Sequence, residues 1–146
     1  CLYVPASVVY HDYELRFGPH KTYYEEHNRY RALLKVFRWQ TLLLLLPLLL
    51  LGELVTWGYV LLRDRARWPN KLRAYAAILR DWPAIRRARQ QAQATRRVDD
   101  RALLRNAAHR LAYEQTGDGF VARVAHLFFD PLFFVGQRLA LSLLRW

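Results

Sequence analysis

The chain has 146 residues and a formal net charge of +11, with one cysteine and no methionine. A single cysteine excludes an intramolecular disulfide framework and a cysteine zinc cluster. The chain has the length of a single domain, but a leucine run and an arginine run occupy much of it, so a complete soluble enzyme is not expected. The lack of methionine indicates an N-terminally truncated fragment.

The positive charge is concentrated in one part of the chain. Residues 63–97 carry eleven Lys or Arg against two Asp or Glu, and this block directly follows an apolar run. A basic cluster beside a membrane segment predicts attraction to anionic or lipid-phosphate headgroups. Nucleic acid is the rival partner, disfavoured by the leucine run and by the lack of a recognisable reader fold.

The first elements in chain order are a strand and a helix. Residues 2–10 are β-branched and aromatic, which predicts a short strand whose partners lie upstream of this chain. A capping box of Thr22 and Glu25 predicts the start of an amphipathic helix. That helix leads into the apolar run at residues 39–62.

The apolar run predicts a membrane segment, because its 24 residues contain one ionisable group, Glu53. Trp39 and Trp57 are of the aromatic type found at membrane interfaces. Basic residues flank both ends, and the positive-inside rule therefore favours two cytoplasmic flanks. We expect Pro47 and Gly52 to break the run into a re-entrant or monotopic hairpin; the alternatives are a kinked single span and a buried soluble helix.

Glu53 has two interpretations. An ionisable side chain inside a membrane segment indicates a functional residue. Alternatively, the carboxylate is buried against protein and plays a structural role.

Helical patterns continue after the apolar run. Residues 71–82 predict an amphipathic helix, and residues 84–97 a polar helix or solvated arm with little core to join. Asp99 or Asp100 is expected to cap a short helix at residues 102–115. Residues 120–144 contain four ionisable groups and a proline, which favours a pair of interfacial amphipathic helices over a membrane span.

Catalytic signatures are scarce in this sequence. It has no glycine-rich phosphate loop, no H-E-x-x-H, no G-x-S-x-G and no D-x-D at metal-binding spacing. His11 follows the predicted strand, where an imidazole can bind a divalent ion if carboxylates join it, but the sequence places no such partners.

Several blocks resemble the C-terminal part of bacterial and archaeal family 2 glycosyltransferases. VPASVVYHDYE is similar to the last strand of their GT-A domain, and KTYYEEHNRYRALLKVFRWQ to the Tyr-Tyr-x-Glu-Arg-Asn-Arg block before a leucine-rich segment. ELVTWGYVLLR, KLRAYAAILRDWPAIRRAR and QATRRVDDRALL extend the resemblance over residues 2–104. His27 departs from the family, which usually has arginine there.

The resemblance implies an inverting transferase that uses a nucleotide sugar and a divalent metal, Mg or Mn, at the cytoplasmic face of the inner or plasma membrane. The acceptor is implied to be lipid-linked or a cell-envelope polysaccharide. His11 matches the histidine that completes metal coordination in such enzymes. The nucleotide-sugar domain and its catalytic base are not in this chain, so we predict that the fragment alone is inactive.

The resulting fold prediction is mainly α, with one strand left from a GT-A sheet and amphipathic interfacial helices around one membrane segment. Its regions are 1–21 (end of the catalytic domain), 22–62 (amphipathic helix and membrane segment), 63–97 (basic helices) and 98–146 (C-terminal amphipathic helices). The competing function is a non-catalytic membrane protein whose basic arm binds anionic lipid or a protein partner. The residues expected to bind lipid phosphate are Arg29, Arg31, Lys35, Arg63, Arg65, Arg67, Lys71, Arg73, Arg86 and Arg87.

Overall fold

The computed structural model describes residues 20–63, 65–107 and 119–145, and this part of the chain is mainly helical, as predicted. The predicted strand at residues 2–10 lies outside the described residues, as does His11. The helices are α1 (Lys21–Val36), α2 (Trp39–Arg63), a 3-10 turn (Arg65–Arg67), α3 (Trp68–Arg80), α4 (Trp82–Ala94), α5 (Asp100–Arg105) and α6 (Gly119–Leu143).

Helix α1 begins earlier than the capping box predicts. His20 is its N-cap residue and makes no side-chain cap, so Thr22 and Glu25 lie inside the helix and the predicted box is wrong. Glu25 Oε1 lies 3.4 Å from Lys21 Nζ, because residues four apart face each other on a helix surface. The carboxylate is therefore engaged with a lysine one turn back instead of with the helix terminus.

Helix α2 runs without interruption through Pro47, so the predicted break into two half-segments near Gly52 is wrong. Proline removes a single amide donor, whereas a turn in an apolar medium leaves several peptide groups without partners. The continuous helix is the less costly solution. Among the described residues, it is the one helix that is long and apolar enough to cross a membrane.

The two faces of α2 differ in exposure. Thr41, Leu45 and Val60 are buried on one face. The opposite face is an exposed leucine stripe, with members three, four or seven residues apart, as expected for one side of a helix. Its members are Leu43, Leu46, Leu50, Leu54 and Leu61.

Helices α3 and α4 each begin with a Trp-Pro pair, where the missing amide hydrogen costs nothing because it has no partner in a first helical turn. Both helices pack against α1. Ile85 of α4 is 1% exposed, so the prediction that residues 84–97 have little core to join is wrong. Ala74 and Ala77 of α3 are also buried, and their small side chains allow close helix packing.

The C-terminal part packs against the first half of α2. Leu45 of α2, Leu104 of α5, and Ala140 and Leu144 form one apolar cluster. The predicted pair of helices at residues 120–144 is wrong, because α6 continues through Pro131. Like Pro47, this proline lies in an apolar helix in which a break would free more backbone groups than the proline does.

Gly136 lies at a close approach of α6 to α2. A Cβ atom built on it would lie 2.3 Å from Leu48 Cδ2 and 2.9 Å from its Cγ. By contrast, a Cβ atom on Gly52 has no neighbour within 4 Å. The absence of a side chain at Gly136 therefore lets the two apolar helices make contact.

Gly136→Ala should lower the thermal unfolding temperature in detergent micelles. The new methyl group would displace Leu48, at an overpacking cost of about 1–3 kcal/mol that outweighs the gain of about 0.5–1 kcal/mol from replacing a glycine inside a helix. Gly52→Ala is the matched control, since it removes the helix penalty of glycine, about 0.5–1 kcal/mol, without a clash. Equal stabilisation by both substitutions would contradict the close approach of α2 and α6.

Candidate functional site

A buried polar cluster joins three helices around Glu53 of α2. Lys71 Nζ of α3 lies 3.1 Å from Glu53 Oε2 and 2.6 Å from Glu26 Oε1 of α1. Arg29 of α1 pairs with both carboxylates, at 2.6 Å from Glu26 Oε2. This set, which also includes the hydroxyl groups described next, is called the Glu53 cluster below.

Hydroxyl groups complete the Glu53 cluster. Tyr75 donates a 2.5 Å hydrogen bond to Glu53 Oε2, and Tyr30 donates to Glu53 Oε1. Lys71 Nζ also contacts Thr56 Oγ1 at 2.6 Å, and the Trp57 indole donates to the Tyr75 oxygen at 3.1 Å. Each carboxylate oxygen of Glu53 thus has a partner from another helix.

The electrostatics of the cluster are close to balanced. Lys71 is fully buried and Glu26 is 5% exposed, and two carboxylates face two cations. Burial lowers the pKa of Lys71, although its hydrogen bond to Glu26 opposes that shift. Burial also raises the pKa of Tyr30, and raises that of Tyr75 to about 12 with a smaller contribution from Glu26. Both phenols are therefore hydrogen-bond donors at neutral pH.

The arrangement of the Glu53 cluster supports a structural role. A general base needs a carboxylate or amine that is free to take a proton, whereas these carboxylates are engaged by cations and phenols. The Glu53 cluster connects α1, which precedes α2, to α3, which follows it. This placement matches the structural interpretation of Glu53.

The structure separates the predicted lipid-binding residues into different groups. Lys71 and Arg29 belong to the Glu53 cluster, so Lys71 is removed from the surface that a lipid phosphate can reach. Arg31, Lys35 and Arg67 are half-buried, and the side chain of Arg63 lies outside the described residues. The exposed members are Arg65, Arg73, Arg86 and Arg87.

A second polar cluster fixes the beginning of α2. The carboxylate of Asp100 is fully buried; its Oδ2 accepts hydrogen bonds from the Arg38 amide at 3.0 Å and from Thr41 Oγ1 at 2.5 Å. Arg96 pairs with its other oxygen. Asp99 caps α5 by accepting from the Ala102 amide at 2.6 Å, which confirms the predicted capping role for one of the two aspartates.

The predicted interface residues have different surroundings. Trp39 is 47% exposed at the start of α2, and the Arg89 guanidinium lies 4.1 Å from its ring centroid. Trp57 is half-buried and hydrogen-bonded within the Glu53 cluster. Trp39 is therefore exposed at the start of α2, whereas Trp57 contributes to the packing of α3; membrane contact by either side chain stays a prediction.

Sequence reasoning did not find the partners of Glu53 or the role of Asp100. The partners of Glu53 in α1 and α3 lie 18 to 24 residues away along the chain, and periodicity carries no signal at that distance. His27 is buried against Tyr23 and lies 3.6 Å from Asp81.

No metal centre is assigned within the described part of the chain, where no three His, Cys, Asp or Glu side chains are grouped as ligands. Comparison with family models, curated proteins and solved structures finds no match to this chain. The resemblance to glycosyltransferases therefore remains a prediction.

Lys71→Met should destabilise the fold strongly. Removing one partner of a buried ion pair leaves an uncompensated charge, at a cost of about 3–5 kcal/mol. Arg80→Met is the control, because it breaks a solvent-exposed pair with Asp81, and surface pairs of this kind contribute little to stability. Unfolding in detergent measures both, and equal effects would contradict the burial of Lys71.

The raised pKa of Tyr75 predicts a loss of stability at alkaline pH. The unfolded phenol ionises near pH 10 and the folded one at about 12, so the stabilisation is complete below pH 10 and is lost as the pH rises through 12. The melting temperature of the wild type should therefore fall more steeply over this window than that of Tyr75→Phe. Tyr24→Phe, which changes an exposed phenol, should keep the steep slope.

Proposed function

We propose that the chain is the membrane-docking C-terminal part of a glycosyltransferase that acts at the cytoplasmic face of the inner or plasma membrane. The observation that carries the docking part is the exposed leucine stripe of α2, with exposed arginines in the helices that follow. Apolar area and attraction to anionic lipids are the two contributions to binding by interfacial helices. The partner of this surface is an anionic or lipid-phosphate membrane.

The connections of α2 favour attachment from one side of the membrane. Helices α1 and α3 leave opposite ends of α2, yet they pack against each other and share the buried Glu26–Lys71 ion pair. The buried carboxylate of Asp100 accepts hydrogen bonds from Arg38 and Thr41, and these bonds fix the beginning of α2 to α5. Both basic flanks then face the cytoplasm, in agreement with the positive-inside rule, without a break in the helix.

A perpendicular α2 is disfavoured on energetic grounds. At 1.5 Å per residue, its 24 apolar-run residues extend about 36 Å, so crossing would carry the Glu53 cluster to hydrocarbon depth. A charged side chain at the bilayer centre costs about 2.5–3.5 kcal/mol even on insertion scales, and α1 and α3 carry further polar residues. We therefore place α2 in the membrane plane, with its leucine stripe toward the acyl chains.

The transferase part of the proposal rests on the resemblance of residues 2–104. It includes a nucleotide-sugar domain encoded upstream, a divalent metal (Mg or Mn) with His11 as a ligand, and a lipid-linked or envelope-polysaccharide acceptor. The test is the gene sequence upstream of Cys1. An in-frame α/β region with a D-x-D motif supports the transferase, whereas a start codon directly before Cys1 contradicts it.

The second candidate function is a non-catalytic membrane protein whose basic arm binds anionic lipid or a protein partner. The Glu53 cluster favours it, because the most deeply buried ionisable groups of the described residues connect helices and are not available for chemistry. Sugar transfer by the chain together with its upstream region would exclude this candidate.

One-sided attachment predicts that residues before and after α2 are accessible from the same side. Ala32 and Ala84 are exposed on α1 and α4, and we would replace each with cysteine in a Cys1→Ser background. In sealed inverted vesicles, a membrane-impermeant maleimide should label both cysteines without detergent. If one cysteine requires detergent for labelling, α2 crosses the membrane; if both do, the cytoplasmic location is wrong.

A further inference from the structure

A cavity of about 490 Å³ lies between α1, the start of α2 and α4. Trp39 and Trp82, whose ring centroids are 6.2 Å apart, line it. The remaining lining residues are Leu34, Ile85, Arg86, Arg89, Gln90 and Gln93. Its volume falls within the range of about 300–1,000 Å³ that is typical of small-molecule sites.

The polar lining of this cavity favours an anion. Among the residues that the structure describes, two arginines and two glutamines line it and no carboxylate does. Arg89 is held in position, since its Nη1 donates to the Phe37 carbonyl at 2.7 Å and also to the Leu34 carbonyl. Burial lowers the pKa of Arg89, as expected for a guanidinium that has given up water without gaining a full counter-charge.

Arg86 supplies a second guanidinium at the opening. It is exposed on α4, one turn before Gln90. A planar guanidinium binds phosphate oxygens through two parallel hydrogen bonds, which gives both strength and orientation. Arg86 can reach a ligand at the opening, while Arg89, stacked on Trp39, faces it from the wall.

The apolar part of the lining identifies the rest of the ligand. An inorganic phosphate ion would fill only a small fraction of the cavity. It would leave the two tryptophans and the two aliphatic side chains of the cavity wall without contacts. Tryptophan at a membrane interface contacts the headgroup level, where glycerol carbons meet the first methylene groups. Trp39 is the first residue of the apolar helix, four residues before Leu43 of the leucine stripe, so the cavity lies at the level where the in-plane α2 rests.

We propose that this cavity is a discrete site for the phosphate headgroup of an anionic lipid, bound by Arg86 and Arg89 with the glycerol part between Trp39 and Trp82. This inference rests on the proposed membrane docking and extends it from a diffuse basic surface to one site. The alternative source of the same chemistry is a water-soluble phosphate ester.

The probe is dihexanoyl phosphatidic acid at concentrations below micelle formation, titrated calorimetrically into the full chain in mild detergent. Arg86→Gln should weaken binding about tenfold, in line with the loss of charge-assisted hydrogen bonds. Arg87→Gln is the matched control: it is exposed on the same helix, carries the same charge change and does not line the cavity. Salt screens the longer-range attraction between Arg87 and the phosphate. We therefore expect Arg87→Gln to change the dissociation constant by less than about twofold.

Two calorimetric results would overturn the site. Equal weakening by the two variants would mean a diffuse electrostatic surface, and equal affinity for glycerol 3-phosphate would mean that the lipid part is not recognised. Flotation of the wild type with phosphatidic acid vesicles, compared with phosphatidylcholine vesicles, tests the docking itself. If the protein floats with the vesicles but Arg86→Gln and Arg87→Gln float equally, the site is contradicted and the docking is not. If the short lipid binds selectively but the protein does not float, the docking is contradicted and the site is not.

Discussion

The ammonium group of Lys71, placed between the carboxylates of Glu26 and Glu53, is the interaction on which the arrangement of the helices depends. A fully buried lysine persists only if nearby charge and hydrogen bonds repay the loss of water. Here Arg29 balances the second carboxylate, and two phenols complete the set. Because one contributor comes from each of α1, α2 and α3, the charge balance exists only when all three helices are in place.

This dependence explains how an apolar helix coexists with a polar surface. The Glu53 cluster fixes the second half of α2, and Asp100 fixes its beginning. One face of α2 is thereby covered, and the leucines of the other face are exposed, with no packing partner among the residues that the structure describes. Full burial of a leucine side chain contributes about 1.5–3 kcal/mol, so several exposed leucines in one row favour transfer into lipid.

The sequence predicts the helices well where the pattern is local. Helix α3 and the apolar α2 follow from spacing and composition, and the capping role of Asp99 follows from residue type. The predictions fail where a local rule competes with a longer-range constraint. Pro47 and Pro131 are helix breakers by the local rule, yet α2 and α6 continue through them, because a proline removes one backbone hydrogen bond whereas a helix break frees several backbone groups. The capping pattern at Thr22 fails because α1 already begins at Lys21, so that Thr22 and Glu25 lie inside the helix.

The site is less predictable than the fold, because charge counting does not distinguish a buried cation from an exposed one. Within the basic block of residues 63–97, Lys71 and Arg96 pair with carboxylates, and Arg80 pairs with Asp81. These cations neutralise the protein's own groups and add little to the field that a membrane meets. In the proposed docking, the position of each arginine therefore decides lipid recognition more than the net charge of the block does. An arginine beside Trp39, which that proposal places at the headgroup level, contributes more to binding than a distant arginine, because its interaction with a phosphate is less screened by water and salt.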